Sequence, residues 1–143
     1  MRVLVIVPGN KDSEAGVMPD TKLLTEMGKF NEELVKAGVM LAGEGLRPTS
    51  HGKRVQFSGG SPTVKDGPFT ESKEIIAGFW LWQVKSREDA LEWLKRAPFQ
   101  EGEVELRQVF ETADFAPVDP TGELREQEQN LRNKIDQQQR VSA

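Results

Sequence analysis

The sequence predicts an α+β domain in which one antiparallel β-sheet packs against two helices. Two amphipathic stretches alternate with short runs of β-branched and aromatic residues, in the order strand, helix, strand, hairpin, strand, helix, strand. A chain of 143 residues, 36% of them hydrophobic, suits a single domain. We therefore expect one domain over residues 1–116 and a helical or partly disordered tail over residues 117–143.

The first strand and the first helix have clear sequence signals. Arg2–Val7 is short, rich in β-branched residues and followed by Pro8 and Gly9, which is typical of a strand and its end. After a polar loop, a helix is expected over Asp20–Ala37, with Asp20 as its cap and Gly38 as its terminator. Its apolar residues recur at steps of three and four: Leu23, Met27, Phe30, Leu34 and Ala37.

The remaining elements follow from alternation, glycine and proline. Strands are expected over Val39–Leu46, over the hairpin arms Arg54–Phe57 and Thr63–Lys65, over Ile75–Val84 and over Val104–Phe110. A second helix is expected to begin after Ser86, with Asp89 completing a capping box, and to stop at Pro98. In the tail, Leu124, Leu131 and Ile135 have helical spacing, which fits a thin amphipathic helix or a frayed segment.

This element order is the ferredoxin-like βαββαβ plan with an inserted hairpin, in which both helices cover one face of the sheet. The strands Arg2–Val7 and Ile75–Val84 are apolar on both faces, so the open face would expose a large apolar patch. We therefore expect a homodimer that packs sheet against sheet, a dimeric α/β barrel. Trp80 and Trp82 are expected in the core or at this interface, and the one that faces the partner sheet should be required for the dimer.

Composition excludes several classes of function. A net charge of −4 provides no basic field for nucleic acid, and the absence of cysteine removes disulfides and thiolate chemistry. A single histidine excludes a zinc site built on several imidazoles, so no metal and no cofactor are expected. The apolar run Val3–Val7 is too short for a signal peptide or a membrane span. We expect a cytoplasmic protein without a membrane partner.

The most specific string is Asp66-Gly67-Pro68-Phe69, which has two interpretations. As structure it is a turn, in which Asp-Gly permits positive φ and Pro68 fixes the exit direction. As chemistry, the Asp66 carboxylate is a candidate acid or base, because further polar residues follow within one short segment: Glu71, Lys73 and Glu74.

The single imidazole, that of His51, lies in a polar turn between two extended stretches. Most lone histidines in such turns are solvated surface residues. As a general base, His51 would need an orienting partner, and Asp66 is the nearest candidate by hairpin topology. Its chemical role therefore depends on where Asp66 lies.

The segment from Asp66 to Pro98 resembles the DGPF branch of the YCII-related (YciI-like) family, as do Gly43–Pro48, the Gly59-Gly60 hairpin and Glu105-Leu106-Arg107. The resemblance implies the ferredoxin-like fold and the dimeric barrel. It implies little about chemistry, because the family has no settled reaction. Shorter relatives carry a histidine in the first helix, which this chain lacks, and the position of Arg47 is often histidine in the DGPF branch.

Two functions of different class remain. In the first, the protein is a cofactor-free enzyme that binds a small metabolite in a cleft: Asp66 moves the proton, Arg47 or Lys73 holds an anionic group, and Glu71 and Glu74 orient the lysine. In the second, it is a non-catalytic ligand-binding or regulatory module, with a protein partner such as an extracytoplasmic-function sigma factor. An Asp66 that points into a buried cleft favours the enzyme, and a solvated Asp66 favours the module.

Overall fold

The structure, a computed structural model, describes residues 1–69 and 74–142. The chain forms two compact units, Met1–Gln108 and Val109–Ala143. The predicted boundary after residue 116 lies inside the second of these units.

The first unit contains six strands and three helices within the described residues. The strands are β1 (Arg2–Pro8), β2 (Met40–Gly45), β3 (Lys53–Gln56), β4 (Thr63–Asp66), β5 (Ile76–Gln83) and β6 (Glu105–Gln108). The helices are α1 (Lys11–Glu14), α2 (Thr21–Lys36) and α3 (Arg87–Lys95). An antiparallel sheet has the order β2-β5-β1-β6, and β3 and β4 form a separate hairpin. The α+β class is confirmed, and the order is compatible with a ferredoxin-like fold.

The core lies between the four-stranded sheet and the helices. Strand pairing sets Val3 opposite Trp82 and Val5 opposite Trp80, and all four side chains are buried. The ring of Phe30 in α2 meets Trp80 and Trp82 edge-on, with centroids 5.9 and 6.3 Å apart. Residues of α3 join the same cluster: Ala90, Trp93 and Leu94. Both strand tryptophans therefore face the helices, and of the two predicted positions, core or interface, the structure shows the core.

The other face of this sheet presents a row of half-buried apolar side chains. Leu4 lies opposite Leu81, and Ile6 lies opposite Phe79, so the four side chains form one continuous surface. Successive residues of a strand alternate between faces, which places these four opposite to the tryptophans. In the first unit this face of the sheet lies opposite the core that packs against the helices.

The ends of α2 follow the sequence signals. The Asp20 carboxylate accepts a hydrogen bond of 2.8 Å from the backbone N–H of Leu23, which confirms the predicted cap. Gly38 has φ +71°, and the N–H of Val39 donates to the carbonyl of Leu34 at 2.9 Å. Together these features form a Schellman ending, which requires a residue that tolerates positive φ.

Helix α1 occurs where a polar loop was expected. Asn10 and Ser13 cap each other, because the Asn10 side chain accepts from the Ser13 N–H and the Ser13 hydroxyl accepts from the Asn10 N–H. A helix of four residues is about one turn long, so it has no apolar periodicity that a sequence pattern would reveal.

The second unit contains a 3-10 segment, Thr112–Val118, and a long helix α4, Glu123–Val141. Asp119 is only 5% exposed and accepts hydrogen bonds from the N–H groups of Leu124 and Arg125. Burial alone would raise the pKa of Asp119, but these backbone bonds and the Arg125 guanidinium outweigh it and hold the pKa below its ordinary value. The carboxylate thereby anchors the first turn of α4.

Candidate functional site

A cleft of about 240 Å³ lies between α2 and the sheet of the first unit. Helix α2 contributes Met27 and Asn31 to its lining, while β2 and β5 contribute residues 43–45 and 77–80. Apolar side chains dominate the remaining lining, including Val7 and Phe99. A concave, mainly apolar site with a few placed polar groups is typical of small-molecule binding.

Besides Trp80, two residues with polar side chains line this cleft: Asn31, which pairs with the Trp80 indole, and Glu44, which is exposed. The indole Nε1–H of Trp80 donates to Oδ1 of Asn31 at 3.0 Å. The Nδ2 amide group of Asn31 has no hydrogen-bond partner among the residues that the structure describes. Asn31 can therefore donate to a ligand while its oxygen stays fixed by the indole.

Gly43 makes room for this arrangement. A Cβ atom at Gly43 would lie 2.7 Å from Cδ1 of Trp80 and 2.8 Å from Cε of Met40. The ring of Phe99 packs edge-on against Trp80, with centroids 6.1 Å apart. The indole is therefore held from two sides, and its position beside the cleft is well defined.

A second polar arrangement lies where β1 and β2 end and β5 begins, and Thr49 is at its centre. The backbone N–H and the hydroxyl of Thr49 donate to the two carboxylate oxygens of Glu14, at 3.0 and 2.5 Å. The same hydroxyl accepts the backbone N–H of Phe69 at 3.0 Å. Helix α1, the Thr49 turn and the Asp-Gly-Pro-Phe motif are thereby joined by one threonine.

Gly67 is required for this contact. Its N–H donates to the carbonyl of Gly52 at 3.0 Å, and its peptide bond to Pro68 is cis. A Cβ atom at Gly67 would lie 1.8 Å from the carbonyl oxygen of Thr49, which no real contact allows. The Arg54 guanidinium lies over the Phe69 ring, 3.9 Å from its centroid. The motif is therefore packed closely against the Thr49–Gly52 turn.

Asp66 lies at the solvent-exposed end of the hairpin. The register of β3 and β4 sets it opposite Lys53, and the Lys53 Nζ lies 2.5 Å from Asp66 Oδ1. The side chain of Asp66 is 73% exposed, and that of Lys53 is 69% exposed. Asp66 does not line the cleft. An Asp66 that is exposed to solvent favours the non-catalytic ligand-binding or regulatory module.

The other predicted site residues are spread over the surface around the motif. His51 ends a 3-10 turn, and its exposed imidazole has no hydrogen-bond or ion-pair partner within residues 1–69 and 74–142. The Asp66 carboxylate pairs with Lys53 instead of orienting this imidazole. Arg47 and Glu74 are exposed, and the positions of Glu71 and Lys73 lie outside the described residues.

Sequence reasoning missed four residues that form polar contacts here: Glu14 and Thr49, Asn31 beside Trp80, and Lys53 beside Asp66. For Lys53 a signal was present, because pairing the hairpin arms in register sets it opposite Asp66. Glu14 and Thr49 are 35 positions apart, and Asn31 and Trp80 are 49 apart, so no local pattern links them. Only the folded chain brings these partners together.

The described ranges 1–69 and 74–142 contain no group of three or more histidine, aspartate or glutamate side chains placed to hold a metal ion. Their helices also include none with the length and apolar content needed to cross a bilayer.

Two comparisons relate the chain to known proteins. The YCII-related domain matches residues 1–113, which is most of the chain. An uncharacterized protein of Rhizobium meliloti (strain 1021) is 31% identical over 76 residues, which cover 53% of this chain. The match spans 61% of that relative, so it covers less than two thirds of the relative's length.

Proposed function

The chain belongs to the YCII-related family, and from this premise we propose that it is a small-molecule-binding protein whose site is the cleft beside Trp80. In this proposal the chain is a member of the DGPF branch of the family and forms a homodimeric α/β barrel in the cytoplasm. The observation that carries it is the Asn31 amide, which is fixed by Trp80 at an apolar cleft and whose Nδ2 donor has no partner within residues 1–69 and 74–142.

The size and lining of the cleft indicate the kind of ligand. Its volume of about 240 Å³ is below the roughly 300–1,000 Å³ of sites for drug-sized compounds. The ligand is therefore a small molecule with an apolar or aromatic body that packs against Trp80 and Phe99. A carboxylate, carbonyl or phenolic oxygen of the ligand would accept a hydrogen bond from the Nδ2 amide group of Asn31.

The dimer in this proposal uses the sheet face opposite the tryptophans. Leu4, Ile6, Phe79 and Leu81 form a continuous apolar row there. These side chains are half-buried in the single chain, and a second copy would remove their remaining apolar surface from water. A second copy of the same sheet would cover them with an equally apolar surface, as the dimeric barrel requires.

In this proposal Asp66 shapes the hairpin and moves no proton. Its carboxylate is exposed, paired with Lys53 and outside the cleft lining. A general acid or base must come within hydrogen-bond reach of the ligand. Acid–base chemistry through Asp66 and a sigma-factor partner stay predictions.

The test is a binding screen with a panel of small carboxylic and phenolic compounds. Trp80 lines the cleft, so binding is expected to change tryptophan fluorescence and to raise the Tm. A ligand at 100 times its Kd stabilises a protein by about 2.7 kcal/mol, which is several degrees for a chain of this size. Met27→Phe places a bulkier, rigid ring in the cleft and should weaken binding, whereas the matched control Leu24→Phe, on the exposed side of α2, should bind normally.

Three further measurements make the proposal specific. Asn31→Leu should weaken a hit with an acceptor group, by about tenfold for one lost hydrogen bond. Asp66→Asn should bind as the unmodified protein does. Binding that survives Met27→Phe but is lost in Asp66→Asn would move the site to the hairpin and contradict the proposal.

A further inference from the structure

The second unit exposes its large apolar side chains. Among residues 109–142 no large apolar residue is buried, and Asp119 is the one buried polar residue. The exposed apolar side chains are Phe110, Phe115, Val118, Leu124, Leu131, Ile135 and Val141. A segment of 35 residues is below the size at which a chain usually forms a sufficient core of its own.

We propose that α4 pairs in antiparallel orientation with α4 of a second copy of this chain. This inference does not rest on the cleft. It rests on the apolar stripe of the helix, on a groove beside it and on the charges at its borders.

The apolar stripe has the geometry of a helix–helix seam. At 3.6 residues per turn, Leu124, Leu131 and Ile135 fall within about 40° of each other on the helix surface. Leu131 and Ile135 are 48% and 51% exposed, so the stripe is available. With the pairing centred near residue 130, Leu124 lies opposite Ile135 of the second copy, and Leu131 lies only about 3 Å along the axis from its own counterpart.

A groove is present where Ile135 of the second copy would lie. It has a volume of about 420 Å³ and runs between the 3-10 segment and the first half of α4. Phe110, Phe115 and Leu124 contribute to its lining, and the two phenylalanine rings pack with centroids 5.3 Å apart. An isoleucine in this groove would cover apolar surface that is exposed in the single chain.

The charges on α4 favour the antiparallel orientation. Residues 123–130 carry three carboxylates and one guanidinium, whereas residues 131–141 carry three cations and one carboxylate. Antiparallel pairing sets the net negative half against the net positive half. At the borders of the stripe it sets Glu123 opposite Lys134 of the second copy, and it sets the Glu128–Arg132 ion pair of each helix beside the same pair of the other helix. Parallel pairing would bring together halves of like sign.

Spin labels on single cysteines test the orientation directly, because the full chain has no cysteine of its own. Asn130 and Gln137 lie on the same side of α4, are both exposed and are both uncharged. In the antiparallel pair, the labels of the two copies have almost no axial offset at Asn130→Cys but an offset of about 21 Å at Gln137→Cys. Ile135→Glu should remove the short distance at position 130, and Asn133→Glu, on the opposite side of the helix, should retain it.

Each outcome decides the proposal. The proposal is supported if the two spin labels are close at position 130 but not at position 137, and if Ile135→Glu removes this short distance. Equal short distances at both positions would indicate parallel pairing and overturn it. A distance that is absent, or one that Ile135→Glu does not change, would also overturn it. The helical circular dichroism of every variant is measured, and Leu131→Glu is a second probe of the same stripe.

Discussion

Replacing Gly67 by alanine is expected to disrupt the packing of the Asp-Gly-Pro-Phe motif. The new methyl group would lie 1.8 Å from the carbonyl oxygen of Thr49 and 3.3 Å from that of Gly52. Both neighbours are backbone atoms, so no side-chain rotation relieves the overlap. The motif must therefore move away from the turn that it packs against.

The cost follows from what this movement breaks. Overpacking at a tight site costs about 1–3 kcal/mol. Moving the motif also weakens the hydrogen bond from Gly67 to Gly52 and the one from Phe69 to Thr49, which are worth about 1 kcal/mol each. The movement that relieves the steric overlap is the same movement that weakens the hydrogen bonds, so the two costs do not add in full. We therefore expect Gly67→Ala to lower the free energy of unfolding by about 2–4 kcal/mol.

The assay is urea unfolding followed by tryptophan fluorescence, combined with hydrogen exchange of the Gly67 and Phe69 amides. Exchange detects a hairpin that opens locally while the tryptophan core stays folded. Gly60→Ala is the matched control, because a Cβ atom at Gly60 would meet nothing within 4 Å. We expect that control to be neutral, or stabilising by up to about 1 kcal/mol through the unfolded chain.

The reasoning is refuted if Gly67→Ala changes neither the unfolding free energy by more than about 0.5 kcal/mol nor the exchange of the two amides. It is also refuted if Gly60→Ala is as damaging as Gly67→Ala, because the effect would then not depend on the Thr49 contact.

Three further expectations concern single side chains. Asp66→Asn should cost no more than about 1 kcal/mol in urea unfolding, because its ion pair with Lys53 is exposed; a larger loss would show a structural role beyond the pair. Leu81→Asp should disrupt the sheet-to-sheet interface: in the Ile135→Glu background, where α4 no longer pairs, it should give a folded monomer by light scattering, while Leu24→Asp in the same background keeps the dimer mass. An unchanged mass for Leu81→Asp in that background would place the interface elsewhere. The lowered pKa of Asp119 means that the stability it provides is present above the unfolded pKa and is lost as the pH falls below about 4. The protection of the Leu124 amide, which is its exchange rate relative to the intrinsic rate at the same pH, should therefore fall in acid, and Asp119→Asn should remove this pH dependence.

Elements with strong local signals could be predicted from the sequence. Asp20 and Gly38 set the ends of α2, because capping depends on residues within one turn. The hairpin followed from glycine between two extended runs, and its arms were placed to within one residue. These features depend on contacts between near neighbours, which a linear sequence displays.

Features that depend on distant contacts could not be predicted. The sequence showed that Trp80 and Trp82 share one strand face, but not which face the helices cover. Asn31 was an unremarked polar residue of an amphipathic helix until the fold placed it beside Trp80. Glu14 looked like part of a polar loop, although its carboxylate holds Thr49 in place.

The Asp-Gly-Pro-Phe motif shows why a specific string need not be catalytic. Asp66 pairs with Lys53 across the hairpin, Gly67 leaves room for the Thr49 carbonyl, and the Phe69 amide bonds to the Thr49 hydroxyl. The Phe69 ring also supports the Arg54 guanidinium. Because three of the four positions have a contact that depends on the residue type, the packing alone is sufficient to favour this string. The chemistry of the protein is therefore better sought at the Trp80 cleft than at the Asp66 carboxylate.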